Sequence, residues 1–206
     1  MLNIYLIRHA ESDINLQPDI VWGCMPESPL TPLGKFQARA LGKYFQKMGV
    51  SRDYVFTSSA VRAKDTAKLA CEELGIPSQK ILLSEGLLGI SRGSWEGKLR
   101  EKLPEVHHLK HWHFRPPNGE SYHDGEERMY QFLHHNILSK THEGNIAIFG
   151  HQCTIRALLR KLFESDPVAV QNILLDHSAV THLQYNSFGW RSVGVNKTPH
   201  LDWLKD

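Results

Sequence analysis

The residues of this sequence best equipped for chemistry are Arg8 and His9, which follow the apolar run Asn3-Ile4-Tyr5-Leu6-Ile7 and precede Ala10-Glu11-Ser12. A neutral imidazole can attack phosphorus. A guanidinium holds two phosphate oxygens in fixed geometry and offsets the charge that repels a nucleophile. An Arg-His pair after a strand is also a common feature of solvated loops, so its meaning depends on what joins it. Arg62 and His151 are the partners the chain offers. Two imidazoles and two guanidiniums in one place suit a phosphate monoester. The arginines would lower the pKa of His9 by like-charge repulsion and keep its lone pair available near neutral pH. His151 would donate a hydrogen bond to the transferring phosphoryl group.

These residues meet only if the elements carrying them do. Residues 3–7 read as a buried strand, and Thr31-Pro32 as an N-cap with proline at the first helical position, opening a helix to about Met48 that Gly49 ends. Residues 54–57 form a second strand, and Ser58 or Ser59 caps a helix to about Leu74. A third strand at 81–83 leads into an irregular excursion through Pro116-Pro117-Asn118-Gly119 and a helix over about 121–138. A strand at 145–149 runs through Gly150-His151 into a helix at about 153–163. Strands at 179–185 and 190–195 close the chain as an antiparallel pair turning between Asn186 and Gly189. This alternation predicts an α/β three-layer sandwich, a mostly parallel central sheet with helices on both faces. Ligands in such folds bind at the carboxyl ends of the strands. That rule gathers Arg8-His9, Ser58-Ser59 and Gly150-His151, with Arg62 on the first turn of the following helix. Helices starting near Ser59 and Gln152 would point free N–H groups at the same place.

With 206 residues, 41% of them hydrophobic, and no Pro/Gly/Ser-rich linker, the chain is expected to form one domain, residues 1–206. Lys and Arg number 24 against 22 Asp and Glu, so a polyanion-binding surface is not expected and nucleic acid is not an expected partner. Arg8 interrupts the first apolar run, and no later run approaches the roughly 18 residues a membrane span needs. A soluble, cytoplasmic protein is the expectation. Cys24, Cys71 and Cys153 are far apart and odd in number, which favours reduced thiols over a disulfide framework or metal knuckle. Oligomeric state has no signal.

The motifs together carry a resemblance. Leu6-Ile7-Arg8-His9-Ala10-Glu11-Ser12 with Asn15 resembles the signature of the histidine phosphatase superfamily, in its phosphoglycerate-mutase-like branch. Leu30-Thr31-Pro32-Leu33-Gly34 with Gln37-Ala38, Ser58-Ser59-Ala60-Val61-Arg62-Ala63 with Thr66-Ala67, and Gly93-Ser94-Trp95-Glu96-Gly97 are similar to its next blocks, in order. Asn118-Gly119-Glu120-Ser121 with Arg128, Phe149-Gly150-His151 with Thr154-Ile155-Arg156, and Asn196 with His200-Leu201 complete the series. The resemblance implies a phosphohistidine on His9, with Arg8, Arg62 and His151 completing the phosphate pocket. Asn15 contributes, Ser12 and Gln152 are further phosphate- or substrate-binding candidates, and no metal or cofactor is required. It implies hydrolysis of a small phosphomonoester, or phosphoryl transfer between hydroxyls, with residues at about 89–120 as a cap. The compact chain favours the hydrolase over a mutase.

Three departures from the family pattern stand out: Ala10 and Gln152 replace glycines, and Gly89 replaces the proton-donating carboxylate. Protonating a basic leaving group is worth roughly 10²–10⁴ in rate. Glu85, the nearest upstream carboxylate, is the candidate replacement if residues 86–89 fold it inward; otherwise it is a solvated loop carboxylate. Glu11 is expected to orient the nucleophile loop, and Glu120 to cap or precede the next helix. A good leaving group, such as an aryl or acyl phosphate or a phosphohistidine, needs no acid, and a non-catalytic phosphate-binding relative needs none either. His107 and His111 have zinc-compatible spacing or form a solvated histidine surface. Trp95 and Trp112 line the pocket or belong to the core, Cys153 is a redox-sensitive thiol or a small buried hydrophobe, and Arg156 and Arg160 are expected in ion pairs.

Overall fold

Strand β1 (Leu2–Arg8) alternates Leu2, Ile4 and Leu6 with Tyr5 and Ile7, and because a strand turns successive side chains to opposite faces, it feeds two separate cores. The computed structural model describes residues 1–25, 27–49, 53–103 and 105–204. On one face, Leu2, Ile4 and Leu6 pack with Met129, Phe132 and Leu133 of α3 (Tyr122–Leu133) and with Ile155, Leu158 and Leu159 of α4 (Gln152–Phe163). On the other, Ile7 meets Leu41 and Phe45 of α1 (Pro32–Lys47) and Ala67, Ala70 and Cys71 of α2 (Val61–Glu73). The strand therefore lies in the middle layer of three.

The other strands are β2 (Tyr54–Ser58), β3 (Ile81–Ser84), β4 (Gly144–Gly150), β5 (Val180–Asn186) and β6 (Gly189–Lys197), and the sheet order is β3-β2-β4-β1-β5-β6. β3, β2, β4 and β1 are mutually parallel, and β5 and β6 add an antiparallel edge. The mostly parallel α/β sandwich is as expected. β1 and β4 are in register from Leu2↔Gly144 to Arg8↔Gly150, which sets His9 beside His151 just past the strand ends.

The start of α1 buttresses the nucleophile loop. Thr31 caps it by accepting from Gly34 N, and Pro32 occupies its first turn. Thr31 Oγ1 donates to Glu11 Oε1 at 2.7 Å, and Glu11 N donates to Gln37 Oε1 at 2.9 Å. A Cβ on Gly34 would lie 1.9 Å from the Glu11 carbonyl oxygen, so only glycine lets helix and loop approach this closely. Glu11 orients the loop, as expected.

Several expectations need correction. Neither Ser58 nor Ser59 is the N-cap of α2; Ala60 is, and the Ser58 hydroxyl accepts from Ala60 N at 3.3 Å. Arg160 pairs with buried Glu126 at 3.0 Å, but Arg156 instead donates to the Ile173 carbonyl. The short helix α5 (Pro167–Gln171) was not anticipated, although Asp166-Pro167 supplies its cap and first residue. Trp95 packs with Val21, Leu103 and Leu109, and Trp112 with Ala157 and Val170, so both belong to cores. His107 lies on a 3-10 turn (Val106–Lys110) with His111 just after it, and the two join no third ligand among the described residues. No helix among the described residues is long and apolar enough to cross a membrane.

Candidate active site

The carboxyl ends of β1, β2 and β4 open into a cleft of about 210 Å³. Arg8, His9, Asn15, Arg62, His151 and Gln152 all line it. A larger hollow of about 410 Å³ lies elsewhere, against Tyr5, Phe45 and Val193. Convergence of charged and nucleophilic groups, not volume, selects the smaller cleft.

His9 is 5% exposed, and its Nδ1 lies 2.8 Å from the Ala10 carbonyl oxygen. A carbonyl only accepts, so Nδ1 carries the proton and Nε2 keeps its lone pair. Burial first, then His151, Arg62 and Arg8, hold the His9 pKa well below the usual histidine value. The expected direction holds, but burial outweighs the arginines. The His151 ring is 5.3 Å from that of His9, centroid to centroid. Arg62 Nη2, an obligate donor 3.2 Å away, makes His151 Nδ1 the acceptor, so Nε2–H donates to Ser58 Oγ at 2.9 Å. Burial, then Arg62, Arg128 and Arg8, lower the His151 pKa as well. In this geometry both ring nitrogens are engaged by protein rather than turned toward a phosphoryl oxygen.

Arg8 is anchored by two contacts and Arg62 by two backbone carbonyls besides His151. Arg62 donates to the carbonyls of Met25 at 2.7 Å and Gly23 at 3.0 Å. Arg8 Nη1 donates to the Leu175 carbonyl at 2.6 Å, and Nη2 to His177 Nε2 at 2.7 Å. The buried Nε of each has no hydrogen-bond partner among the described residues. Burial and the Arg156 charge lower Arg8 to about 10. An unpartnered buried donor costs about 1–3 kcal/mol, more when charged. Two such donors beside a neutral imidazole suit an anion that accepts from both.

Ser12 does not line the cleft. It is fully buried, and its N–H and Oγ–H both donate to Asn15 Oδ1 at 2.9 Å. Ser12 therefore fixes Asn15, which lines the cleft. Glu85 is exposed and is not among the cleft residues. Arg128 Nη1 and Nη2 gather the carbonyls of Gly86, Leu88 and Gly89 at 3.1, 2.9 and 3.1 Å, which pins the loop that would have had to turn Glu85 inward. Glu120 holds Arg128 in a two-pronged pair and accepts from Ser91 N. No carboxylate lines the cleft among the described residues. A Cβ on Gly89 would lie 3.4 Å from the His151 ring, so a side chain at 89 would start against that histidine.

Among the residues missed from the sequence are Tyr122 and Trp22, which line the cleft, and two that bring charge or an imidazole. Arg92 lines the cleft, and His177 lies against Arg8 with its ring 5.9 Å from that of His9. Arg92 sits beside the Gly93-Ser94-Trp95-Glu96-Gly97 block, which was a usable signal. His177 lies in an irregular segment with none.

The depressed imidazoles have a consequence for stability. Burial and Arg8 lower His177 to about 4, so His9, His151 and His177 stay neutral in the fold while the unfolded chain protonates them near 6.5. Below pH 6.5 the unfolded state binds more protons, so stability falls as pH falls. The expected slope is up to about 1.4 kcal/mol per histidine per pH unit, flattening for His177 near 4. Urea midpoints should be level from pH 8 to 7 and drop steeply toward pH 5. A level midpoint to pH 5 would mean the three rings protonate in the fold.

The profile of the histidine phosphatase superfamily (branch 1) matches residues 4–198. A candidate phosphoserine phosphatase 2 of Hydrogenobacter thermophilus is 31% identical, over 99% of this chain and 100% of its own length. A 2,3-bisphosphoglycerate-dependent phosphoglycerate mutase of Methylobacterium sp. is 30% identical, over 77% of this chain and 79% of its own. The solved structure of Bacillus stearothermophilus YhfR superimposes with a TM-score of 0.87 at 24% identity, covering 98% of this chain and 100% of that one, and so shares the fold. The order of motifs, the sandwich that brings them to one cleft and the match along nearly the whole chain agree: this chain belongs to the histidine phosphatase superfamily, branch 1.

Proposed function

We propose that the protein is a metal-independent phosphatase that hydrolyses a small phosphomonoester through a phosphohistidine on His9. The observation that carries this reading is the pair of buried, unpartnered Nε donors on Arg8 and Arg62 beside the neutral His9. His9 Nε2 attacks phosphorus, and the bond to the ester oxygen breaks. Both Nε–H groups, with the Asn15 amide and the first turn of α4 at Gln152, receive the equatorial oxygens. The two guanidiniums offset the charge that a metal offsets in other phosphatases. Water then attacks the phosphohistidine, the N–P bond breaks, and inorganic phosphate leaves. The name of the Hydrogenobacter relative supports hydrolysis of a small substrate.

With no carboxylate lining the cleft among the described residues, the ester oxygen leaves without an acid in this reading, which favours aryl, acyl or N-phosphoryl substrates. The same observation favours a second reading, a phosphate-ligand-binding relative that has lost turnover. Residues 1–206 act as one domain in this reading, with 89–120 as its cap; the packing of Trp95, Leu103 and Leu109 against Val21 supports that, with residue 104 outside the described residues. Three free thiols fit a cytoplasmic location.

The test is phosphate release with chelator present, from an aryl and an alkyl monophosphate of similar size. The expected result is hydrolysis of the aryl ester, with kcat/KM for the alkyl ester lower by about 10²–10⁴. Tight binding of phosphate analogues without turnover of either ester would favour the binding relative.

A further inference from the structure

The hollow of about 410 Å³ beside β1 shares no lining residue with the catalytic cleft. It lies between α1 and the antiparallel edge of the sheet, walled by Tyr5 of β1, Tyr44 and Phe45 of α1, Met48 at the end of that helix, and Val193 and Lys197 of β6. The Phe45 ring stands 6.0 Å from Tyr5 at 68° and 5.9 Å from Tyr44 at 40°, so three aromatic rings wall one space at different angles. Met48 and Val193, at the rim, are 56% and 49% exposed, and an occupant that covered them would remove apolar surface from water.

The cation of the hollow, Lys197, is put there by a bulge. Between the pairs Val180↔Lys197 and His182↔Gly194, β6 carries one residue more than β5. The chain turns at Asn196, whose φ of 54° lies in the left-handed region and whose side-chain amide is tied to Asp176 N at 2.6 Å and Asp176 Oδ2 at 3.0 Å. The stem of Lys197 is laid against Gly194, where an added Cβ would come within 2.8 Å of its Cε. Among the described residues no carboxylate lines the hollow, and none pairs with Lys197. Ligand pockets begin at roughly 300 Å³, and one walled by rings and aliphatic carbons with an unpaired ammonium fits a flat apolar body carrying a negative charge. We propose that this hollow binds a small aromatic anion, a one- or two-ring carboxylate, independently of the phosphate cleft. Tyr5, Tyr44 and Phe45 take the flat body by edge and offset contacts, and Lys197 takes the carboxylate. Inorganic phosphate gains little from a single exposed ammonium. The proposal does not depend on the phosphatase reading.

Calorimetry with 2-naphthoate, its neutral counterpart 2-naphthalenemethanol and the non-aromatic cyclohexanecarboxylate tests this. In the wild type, 2-naphthoate should bind with Kd below about 1 mM, tighter than the cyclohexane acid and about 2- to 5-fold tighter than the alcohol, as a solvent-exposed ion pair gives. The advantage over the alcohol should vanish in Lys197→Gln. Tyr44→Ala, with its circular dichroism kept, should weaken 2-naphthoate about 5- to 10-fold. Saturating phosphate should leave the wild-type affinity for 2-naphthoate unchanged, a result that needs no variant to fold. Displacement by phosphate would place the ligand in the catalytic cleft and overturn the proposal. So would absence of binding at 1 mM, a ratio of naphthoate to alcohol near one, or full affinity in folded Tyr44→Ala. If 2-naphthoate does not bind and the wild type sediments as a dimer that Val193→Arg dissociates, the hollow is an interface between copies and the proposal falls.

Discussion

His9→Ala is expected to lower kcat for an aryl phosphate by at least about 10⁴-fold, the scale on which removal of a covalent nucleophile acts. Its Nδ1–H is held by the Ala10 carbonyl, the ring is buried and kept neutral, and the remaining lone pair belongs to Nε2. Among the residues lining the cleft, the other imidazole is His151, whose nitrogens are occupied by Arg62 and Ser58. No second nucleophile of the same kind stands ready. Arg8 and Arg62 are anchored by backbone carbonyls and His177 rather than by His9, so the anion pocket survives the substitution. The variant should therefore still bind phosphate or vanadate. Acid-labile phosphate should be found on His9 of the wild type by mass spectrometry after rapid quenching, and be absent from the variant. Retention of more than about 1% of wild-type kcat would remove His9 from the nucleophile's role.

How far the site could be read in advance follows from where its information is stored. β1 and β4 were legible because strands buried on both faces read as short apolar runs, and the parallel α/β rule then collects their ends. His9, Arg8, Arg62 and His151 come together on that logic alone. Gln152 follows because it opens α4, whereas Asn15, on the turn after the nucleophile loop, was signalled only by the family resemblance. The sequence does not decide between Glu85 as a turned-in acid and as a solvated loop carboxylate, because its position depends on Arg128, more than forty residues later, drawing in the carbonyls of the loop. No local pattern records such a contact. Ser12 was placed at the phosphate by its neighbours in the motif, yet its hydroxyl is spent on Asn15 three residues away. α5, of 5 residues, is too short to show helical periodicity, so only its Asp-Pro start could have revealed it. His177 approaches Arg8 across 169 positions of sequence, a closeness that only the folded β5 edge creates.

Gly89→Glu should raise kcat/KM for an alkyl phosphate by about 10²–10⁴ and change that for an aryl phosphate much less, because only a basic leaving group needs the proton. The backbone permits the change: Gly89 is not in the left-handed region, and its added Cβ meets the His151 ring at an ordinary 3.4 Å. The tighter contact is 3.1 Å to the Gly23 carbonyl oxygen. Arg62 donates to that carbonyl, and Cys24 and Met25 beyond it are tied to Glu96, so the segment yields by tenths of an ångström at most. Stability should fall modestly, within the 1–3 kcal/mol typical of added bulk. The carboxyl would start beside the neutral His151 ring and the Gly23 carbonyl that Arg62 binds. Burial there favours its protonated form, the form a general acid requires, while Arg62 and Arg128 favour the carboxylate, so the gain should grow as pH falls. A rise in the alkyl-to-aryl ratio would mean that the pocket is intact for chemistry and that glycine at 89 confines it to good leaving groups. An unchanged ratio in a folded variant that still binds phosphate would mean that leaving-group protonation does not limit this cleft. The explanation for its selectivity would then pass to Gln152 and Arg92.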